Sequence, residues 1–138
     1  MKKNRFGRTE LKVSEIVFGG GWVGGILIDP DYEIMEKAFV KAINAGINWI
    51  DTAESYGDGV SEKNIGLLLS STQNNKIYLS SKATLKRNSS ETILSQLDRK
   101  LDKSLERLKR SEINLYQLHN KIVNLETENC FSAKDITK

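Results

Sequence analysis

The sequence predicts an α/β fold of the (β/α)8-barrel type, of which about the first four strand–helix units are present. Short apolar runs alternate with helix-periodic segments every ~30 residues, and such alternation implies a parallel sheet covered by helices. Three successive predicted strands end on ionisable residues, at Asp51, Lys82 and His119. An open doubly wound sheet also fits the alternation, but its sites lie at a switch in strand order. A barrel brings neighbouring strand ends to one mouth, so these three residues favour the barrel.

The chain begins with a predicted hairpin and a short strand. Asn4–Phe6 and Leu11–Val13 flank a polar turn, which places an N-terminal hairpin over residues 1–14. Glu15–Phe18 is predicted as the first strand of the main sheet, and it runs into a glycine-rich turn over residues 19–25.

Three amphipathic helices are predicted from apolar residues that recur at helical spacing. The first has Asp29 as its N-cap, Pro30 in its first turn and Gly46 at its end. Ser61 is the predicted N-cap of the second helix, and the third begins at Asn88, Ser89 or Ser90. Their apolar faces comprise, in chain order, Met35, Ala38, Phe39 and Ala42; Ile65, Leu68 and Leu69; and Ile93, Leu97, Leu101, Leu105 and Leu108.

Three further strands are predicted between and after these helices, at Ile47–Ile50, Ile77–Leu79 and Ile113–Leu118. They lead to Asp51, Lys82 and His119 respectively. The interior of a barrel is filled by side chains from alternate strands. We therefore expect apolar strand residues to point into that interior, namely Val17, Ile50, Leu79 and Leu118.

Composition indicates an ordinary globular domain. The 138 residues are 38% hydrophobic and 28% charged, with a net charge of +3. Because no basic block and no apolar run of ~20 residues occurs, we predict no nucleic-acid partner and no membrane span. Cys130 is the single cysteine, so an internal disulfide is impossible, and a reducing, cytoplasmic setting is the simplest expectation. We predict no metal site.

Each residue at the predicted mouth also has a simpler structural interpretation. Asp51 fits a loop cap and Tyr56 a half-buried aromatic. Lys82 fits a surface ion pair, and a lone histidine such as His119 is more often structural. Parallel strand order nevertheless brings the strand ends together, with Tyr56 in the loop after Asp51. A neighbouring ammonium favours the phenolate form of tyrosine, and a carboxylate keeps that ammonium in place. The set therefore suits protonation of a carbonyl while a cofactor delivers hydride.

The segment from Asp51 to Gly57, with Ser61-Glu62 and Ile65-Gly66, closely resembles the aldo-keto reductase signature DTAxxYGxGxSExxxG. The resemblance covers roughly residues 4–122, with several motifs in the correct order and spacing. The other similar stretches are Phe6–Thr9, Leu11–Ser14, Gly46–Asn48, Ser80–Lys82, Ser104–Leu108 and Leu115–Asn120.

This resemblance implies a (β/α)8 oxidoreductase that reduces an aldehyde or ketone with NADPH or, less often, NADH. It implies that Tyr56 is the general acid, that Lys82 makes Tyr56 more acidic, and that Asp51 holds Lys82. His119 would orient the substrate carbonyl.

The resemblance also places Gly21, Trp22 and Asp51 beside the nicotinamide of the cofactor, although the glycines could instead serve only a tight turn. Most family contacts to the adenine, the 2′-phosphate and the pyrophosphate come from the second half of the barrel. Those positions have no counterpart within these 138 residues.

The length leaves several functional alternatives open. A full barrel needs ~250 residues, so residues 1–138 are interpreted as a partial reductase domain. Residues 124–138 form a tail without a strand, in which Ser132 and Asp135 begin a helix. The chain represents an active reductase, or it is a catalytically inactive half barrel that acts through association with another chain. Its open sheet edges could also serve as a binding module, or pair two copies as a homodimer.

Overall fold

The computed structural model describes residues 1–28, 31–72, 76–123 and 130–132. Its centre is a parallel sheet of four strands whose spatial order follows the chain order. These strands are β3 (Phe18–Gly19), β4 (Trp49–Asp51), β5 (Tyr78–Ala83) and β6 (Leu115–Leu118). The connecting helices are α1 (Tyr32–Asn44), α2 (Val60–Ser71) and α3 (Ile93–Leu108). The predicted strand–helix alternation and parallel sheet are confirmed.

The main core lies between the sheet and the helices. Ile50 and Leu79 are 0% and 2% exposed and belong to this core, where they pack with Phe39, Ile65 and Leu68. The prediction that Ile50 and Leu79 face the barrel interior is therefore wrong. Successive side chains on a strand point to opposite faces, so the neighbours of residues that face the mouth must point towards the helices.

The other face of the sheet is more open. Val17, Trp49, Leu115 and Gln117 line a cavity of about 350 Å³ there, as predicted for Val17. Leu118 instead packs against a small second cluster, formed by Ala83, Leu85 and Phe131.

The N-terminal hairpin lies at one end of this cavity. It consists of β1 (Lys3–Arg5) and β2 (Lys12–Ser14), which pair antiparallel. Asn48 fastens it to the sheet, since its Oδ1 accepts from the Ser14 amide at 2.7 Å. The ring of Phe6 lies 4.8 Å from that of Trp49.

The first strand of the main sheet is shorter than the predicted Glu15–Phe18. Pairing with β4 begins at Phe18 and continues to Gly19, opposite Asp51. The Glu15 amide instead donates to the Lys2 carbonyl at 3.2 Å, on the hairpin side. Residues 15–17 are therefore used mainly to connect the hairpin with the sheet.

The N-cap of α1 is Asp31, whose side chain accepts from the Ile34 amide at 3.1 Å, and not the predicted Asp29. Asp29 and Pro30 lie outside the described residues. Gly46 follows the helix with φ of +96°, and its amide donates to the Ile43 carbonyl at 2.9 Å. That left-handed conformation suits glycine at the end of a helix.

The N-caps of α2 and α3 also differ from the prediction. Gly59, with φ of +84°, precedes α2, while Ser61 lies inside the helix and shares a 2.8 Å hydrogen bond with Thr52 Oγ1. The Ser61 hydroxyl, which was expected to cap α2, therefore makes a hydrogen bond to the loop after β4 instead. Thr92 caps α3 by accepting from the Ser95 amide at 3.1 Å. The predicted candidates lie too early in the chain, namely Asn88, Ser89 and Ser90.

A short strand occurs where none was predicted. β7 (Lys121–Ile122) pairs in parallel with β8 (Cys130–Phe131), which belongs to the expected strandless tail. The buried ring of Phe131 explains why this segment packs back onto the sheet. Asp135, where a helix was expected to begin, lies outside the described residues. Within the described ranges, no helix is long and apolar enough to span a membrane.

Candidate active site

All four residues predicted at the mouth come together. Asp51 ends β4, and Lys82 lies near the end of β5. His119 directly follows β6, where its amide donates to the Ala83 carbonyl at 2.8 Å and extends the ladder between β5 and β6. Tyr56 lies in the loop between β4 and α2. Parallel strand order therefore explains the cluster.

The Lys82 ammonium is at the centre of the site. It donates to Asp51 Oδ2 at 2.6 Å, to the Thr52 carbonyl at 2.8 Å and to Tyr56 Oη at 3.5 Å. These three contacts match the three hydrogens of an ammonium. Its Nζ also lies 5.0 Å from the centroid of the Tyr56 ring. The cation is thereby fixed beside the phenol.

Asp51 is held from its other side by a short relay. Its Oδ1 accepts from Ser80 Oγ at 2.7 Å, and Ser80 Oγ accepts from the Trp49 indole at 3.0 Å. Neither Ser80 nor Trp49 was predicted as a site residue. Both could have been found from strand periodicity, because residues two apart on a strand share a face with Lys82 and Asp51.

His119 lies between Tyr56 and Ser55. The imidazole and phenol rings meet edge to face, with centroids 5.7 Å apart, and His119 Nδ1 lies 3.3 Å from Ser55 Oγ. The half-buried Tyr56 thus has the Lys82 ammonium near its hydroxyl and the His119 imidazole at its ring. This arrangement can supply a proton and a hydrogen bond to the same oxygen atom.

The loop that carries Tyr56 is fastened by Glu54. Its Oε1 accepts from the Thr84 amide at 2.8 Å, and its two oxygens accept from Lys100 Nζ at 2.7 and 2.9 Å. The Glu54 amide donates to the Lys82 carbonyl at 3.2 Å. The loop after β4 is thereby joined both to the end of β5 and to α3.

The glycine-rich loop after β3 approaches the same site. The Gly20 amide donates to the Asp51 carbonyl at 2.8 Å. A Cβ at Gly21 would lie 3.5 Å from the Tyr56 ring, an ordinary van der Waals contact, so this loop lies directly beside the phenol. Trp22 is 69% exposed and the Asp51 side chain 31%. Gly21 therefore joins Tyr56 at the mouth, and Trp22 follows it in the same loop.

Comparison with known proteins identifies the family of the chain. The sequence model of the aldo/keto reductase family matches residues 15–136. The chain belongs to this family. Its members among the relatives described below are oxidoreductases, and the solved ones have the (β/α)8 fold, of which the present sheet is a part. The predicted family and fold class are confirmed.

Three relatives show the extent of the similarity. L-galactose dehydrogenase of Arabidopsis thaliana is 30% identical over 116 residues, which cover 82% of this chain and 36% of the relative. The holo form of the aldo-keto reductase AKR11C1 from Bacillus halodurans superposes with a TM-score of 0.70 and 28% identity, over 86% and 40% of the two chains. An aldo-keto reductase from Klebsiella pneumoniae in complex with NADPH superposes with a TM-score of 0.65 and 28% identity, over 86% of this chain and 39% of the relative. The chain spans about two fifths of the length of these relatives.

Proposed function

We propose that this site reduces an aldehyde or ketone to an alcohol, with Tyr56 as the proton donor. The observation that carries the proposal is the position of Lys82 Nζ, which lies 2.6 Å from Asp51 Oδ2 and 3.5 Å from Tyr56 Oη. An ammonium in this place stabilises the phenolate that remains after proton transfer, while the carboxylate holds the ammonium in position.

Proton transfer in this proposal involves three side chains. Tyr56 Oη gives its proton to the carbonyl oxygen and regains one from solvent. Lys82 stabilises the intervening phenolate, and His119 donates a hydrogen bond to the same carbonyl oxygen. NADPH, when bound, supplies the hydride that the carbonyl carbon receives. Hydride and proton together convert the carbonyl to an alcohol.

The cofactor would be held at the mouth by Gly21, Trp22 and Asp51. The position of Gly21 beside the Tyr56 ring and the exposed indole of Trp22 support a flat ring at this position. We infer NADPH as the nucleotide, with NADH as the alternative, because a relative of the same family was solved in complex with NADPH.

The first experiment titrates the purified chain with NADPH and follows the nucleotide fluorescence. Turnover is then measured in both directions, with an aromatic aldehyde and NADPH, and with L-galactose and NADP⁺. L-galactose is included because one relative is an L-galactose dehydrogenase. We expect saturable binding, and turnover with at least one pair. Tyr56→Phe should reduce turnover at least ~100-fold and leave nucleotide binding intact, because it removes only the transferred proton.

The matched control is Tyr32→Phe, since Tyr32 is a 42% exposed residue on α1. It should leave both binding and turnover unchanged. Absence of binding at millimolar nucleotide would contradict the proposal for this chain, and equal loss of turnover in both variants would contradict the role of Tyr56.

A second candidate function is association with another chain through the open face of the sheet. Val17 is 46% exposed and lines the 350 Å³ cavity on the inner face. Among the described residues, β3 and β6 each have one strand neighbour in the main sheet. Unpaired strand edges are templates for pairing. Sedimentation equilibrium tests this candidate: a homodimer supports pairing of two copies, and a monomer argues against it.

A further inference from the structure

His119 makes a contact that the proposed reaction leaves unused. Its Nδ1 lies 3.3 Å from Ser55 Oγ, and among the described residues Nε2 has no hydrogen-bond partner. A neutral imidazole carries its proton on one nitrogen only, and the partner of the other nitrogen decides which one. The position of this proton determines whether His119 can donate a hydrogen bond through Nε2.

We propose that Ser55 is a positioning residue, whose hydroxyl donates to Nδ1 of His119 and so holds the imidazole proton on Nε2. This inference rests on the proposed function, in which His119 donates a hydrogen bond to the substrate oxygen. It adds a residue that neither touches that oxygen nor transfers a proton to it.

The direction of the hydrogen bond follows from the chemistry of the two groups. The lone pair of an imidazole nitrogen is a more basic acceptor than a hydroxyl oxygen, so a serine hydroxyl beside it favours the donor role. Within the described part of the chain, Ser55 Oγ has only the His119 ring as a hydrogen-bond partner. No competing acceptor there turns the hydroxyl away.

Both partners are fixed by their neighbours. The amide of His119 is bonded to Ala83, at the end of β5. Ser55 lies between Glu54 and Tyr56, and the Glu54 carboxylate is bound by the Thr84 amide and by Lys100. An exposed hydroxyl is thereby kept beside the ring, although Ser55 itself has few contacts.

The test uses the fact that the chain has a single histidine. The protein is labelled with ¹⁵N-histidine, and both ring nitrogens are observed by long-range ¹H–¹⁵N correlation. The pH is raised until their shifts stop changing, so that the ring is neutral and the ratio of the two tautomers can be read directly. The same chain unfolded in urea supplies the intrinsic ratio.

We expect the ratio of the Nε2–H to the Nδ1–H tautomer to be roughly fivefold higher in the native chain than in the unfolded chain. A factor of this size corresponds to the net free energy of one ordinary hydrogen bond. Ser55→Ala should return the ratio to the unfolded value, and Ser55→Thr, which keeps the hydroxyl, should restore it. The control is Ser89→Ala, at a half-buried serine whose Oγ accepts from the Glu91 amide, and it should leave the ratio unchanged.

Three outcomes would overturn the inference: a native chain that favours Nδ1–H, a native ratio equal to that in urea, or a Ser55→Ala ratio equal to that of wild type. The measurement needs neither cofactor nor turnover. If the proposed function is wrong, the activity assay shows it. If the role of Ser55 is wrong, the tautomer ratio shows it, whether or not the chain turns over substrate.

Discussion

Two clusters built from the same four kinds of group lie on opposite faces of β5. Each contains a carboxylate, a cation, a serine and a tyrosine. The inner cluster, on the open face of the sheet, consists of Asp51, Tyr56, Ser80 and Lys82. The outer cluster, on the helix side, consists of Glu62, Ser81, Arg107 and Tyr116, and a second serine, Ser104, links Tyr116 to Arg107. Ser80 and Ser81 are neighbours, so the alternation of the strand separates the two sets.

The outer cluster joins α2 and α3 to the sheet. Glu62 is fully buried and accepts from Arg107 Nε at 2.6 Å and from Ser81 Oγ at 2.5 Å. Arg107 also donates to Ser104 Oγ at 3.3 Å, and that hydroxyl lies 3.3 Å from Tyr116 Oη. Every group in this cluster has a protein partner.

The clusters differ in the burial of their carboxylates and in the groups that lie beside each tyrosine. Asp51 is 31% exposed and Tyr56 faces an ammonium, whereas burial raises the pKa of Tyr116 and its hydrogen bond to Ser104 only partly opposes that effect. Both tyrosines are half-buried, so it is the carboxylates that differ in burial: Glu62 is fully buried, whereas Asp51 is partly exposed. Placement on the strand, rather than composition, separates the partly exposed cluster from the one built around a buried carboxylate.

The largest expected effect comes from breaking the outer cluster. Arg107→Met leaves the Glu62 carboxylate buried without its cation, which should lower the free energy of unfolding by about 3 kcal/mol. Urea denaturation followed by circular dichroism measures this loss. The control is Arg99→Met, which removes an exposed partner of Glu91 and should not move the denaturation midpoint.

A paired substitution sharpens the same prediction. Glu62→Leu with Arg107→Met replaces the ion pair by apolar side chains and should recover most of the lost stability, because no uncompensated charge remains. If the double variant is as unstable as Arg107→Met alone, the loss arises from packing and not from an unpaired carboxylate.

The close approach of α2 and α3 should be nearly as sensitive. A Cβ at Gly66 would overlap the Arg107 carbonyl and lie 2.9 Å from the Leu108 carbonyl carbon. Gly66→Ala should therefore force the helices apart and lower the free energy of unfolding by about 2 kcal/mol. In the same denaturation assay, Gly19→Ala is the control, since a Cβ there would have nothing within 4 Å. Equal stability of the two variants would show that the helices can shift without cost.

The inner cluster should tolerate loss of its cation better. After Lys82→Met, Asp51 keeps the hydrogen bond from Ser80 and remains partly exposed to water. We expect a loss of only about 1 kcal/mol in the free energy of unfolding, together with loss of the proposed turnover. A stability loss as large as that of Arg107→Met would mean that the inner pair is structural, and the comparison between the clusters would then be wrong.

The sequence could predict Asp51, Tyr56 and Lys82 of the inner cluster because a local rule places them. Asp51 and Lys82 come at the ends of predicted strands, parallel strands bring those ends together, and Tyr56 lies in the loop directly after Asp51. The strand–helix order was likewise predictable from short apolar runs and helical spacing. Ser80 follows the same rule as Lys82, two residues earlier on β5.

The outer cluster and the helix ends could not be predicted in this way. Glu62 and Arg107 are separated by 45 residues, and their pairing depends on how α2 packs against α3. Burial on α3 also differs from its apolar stripe: Gln96 and Ser104 are nearly fully buried, whereas Ile93 is 40% exposed. Tertiary contacts therefore decide which polar side chains enter the core.

The smallest expected effect concerns Tyr116. Tyr116→Phe removes one hydrogen bond to Ser104, so its cost near neutral pH should be only about 0.5 kcal/mol. Because the pKa of Tyr116 is raised in the folded chain, the unfolded chain loses this proton first as the pH rises above about 10. Wild-type stability should consequently fall with rising pH in that range, and the fall should be shallower for Tyr116→Phe.

The measurement compares urea midpoints of the two proteins from pH 9 upwards, with Tyr32→Phe as the exposed control. Lysines also titrate in this range, so the difference between wild type and variant is the relevant quantity. The control should keep the full wild-type slope. If Tyr116→Phe also keeps that slope, Tyr116 is not its source, and burial does not raise the pKa of this hydroxyl.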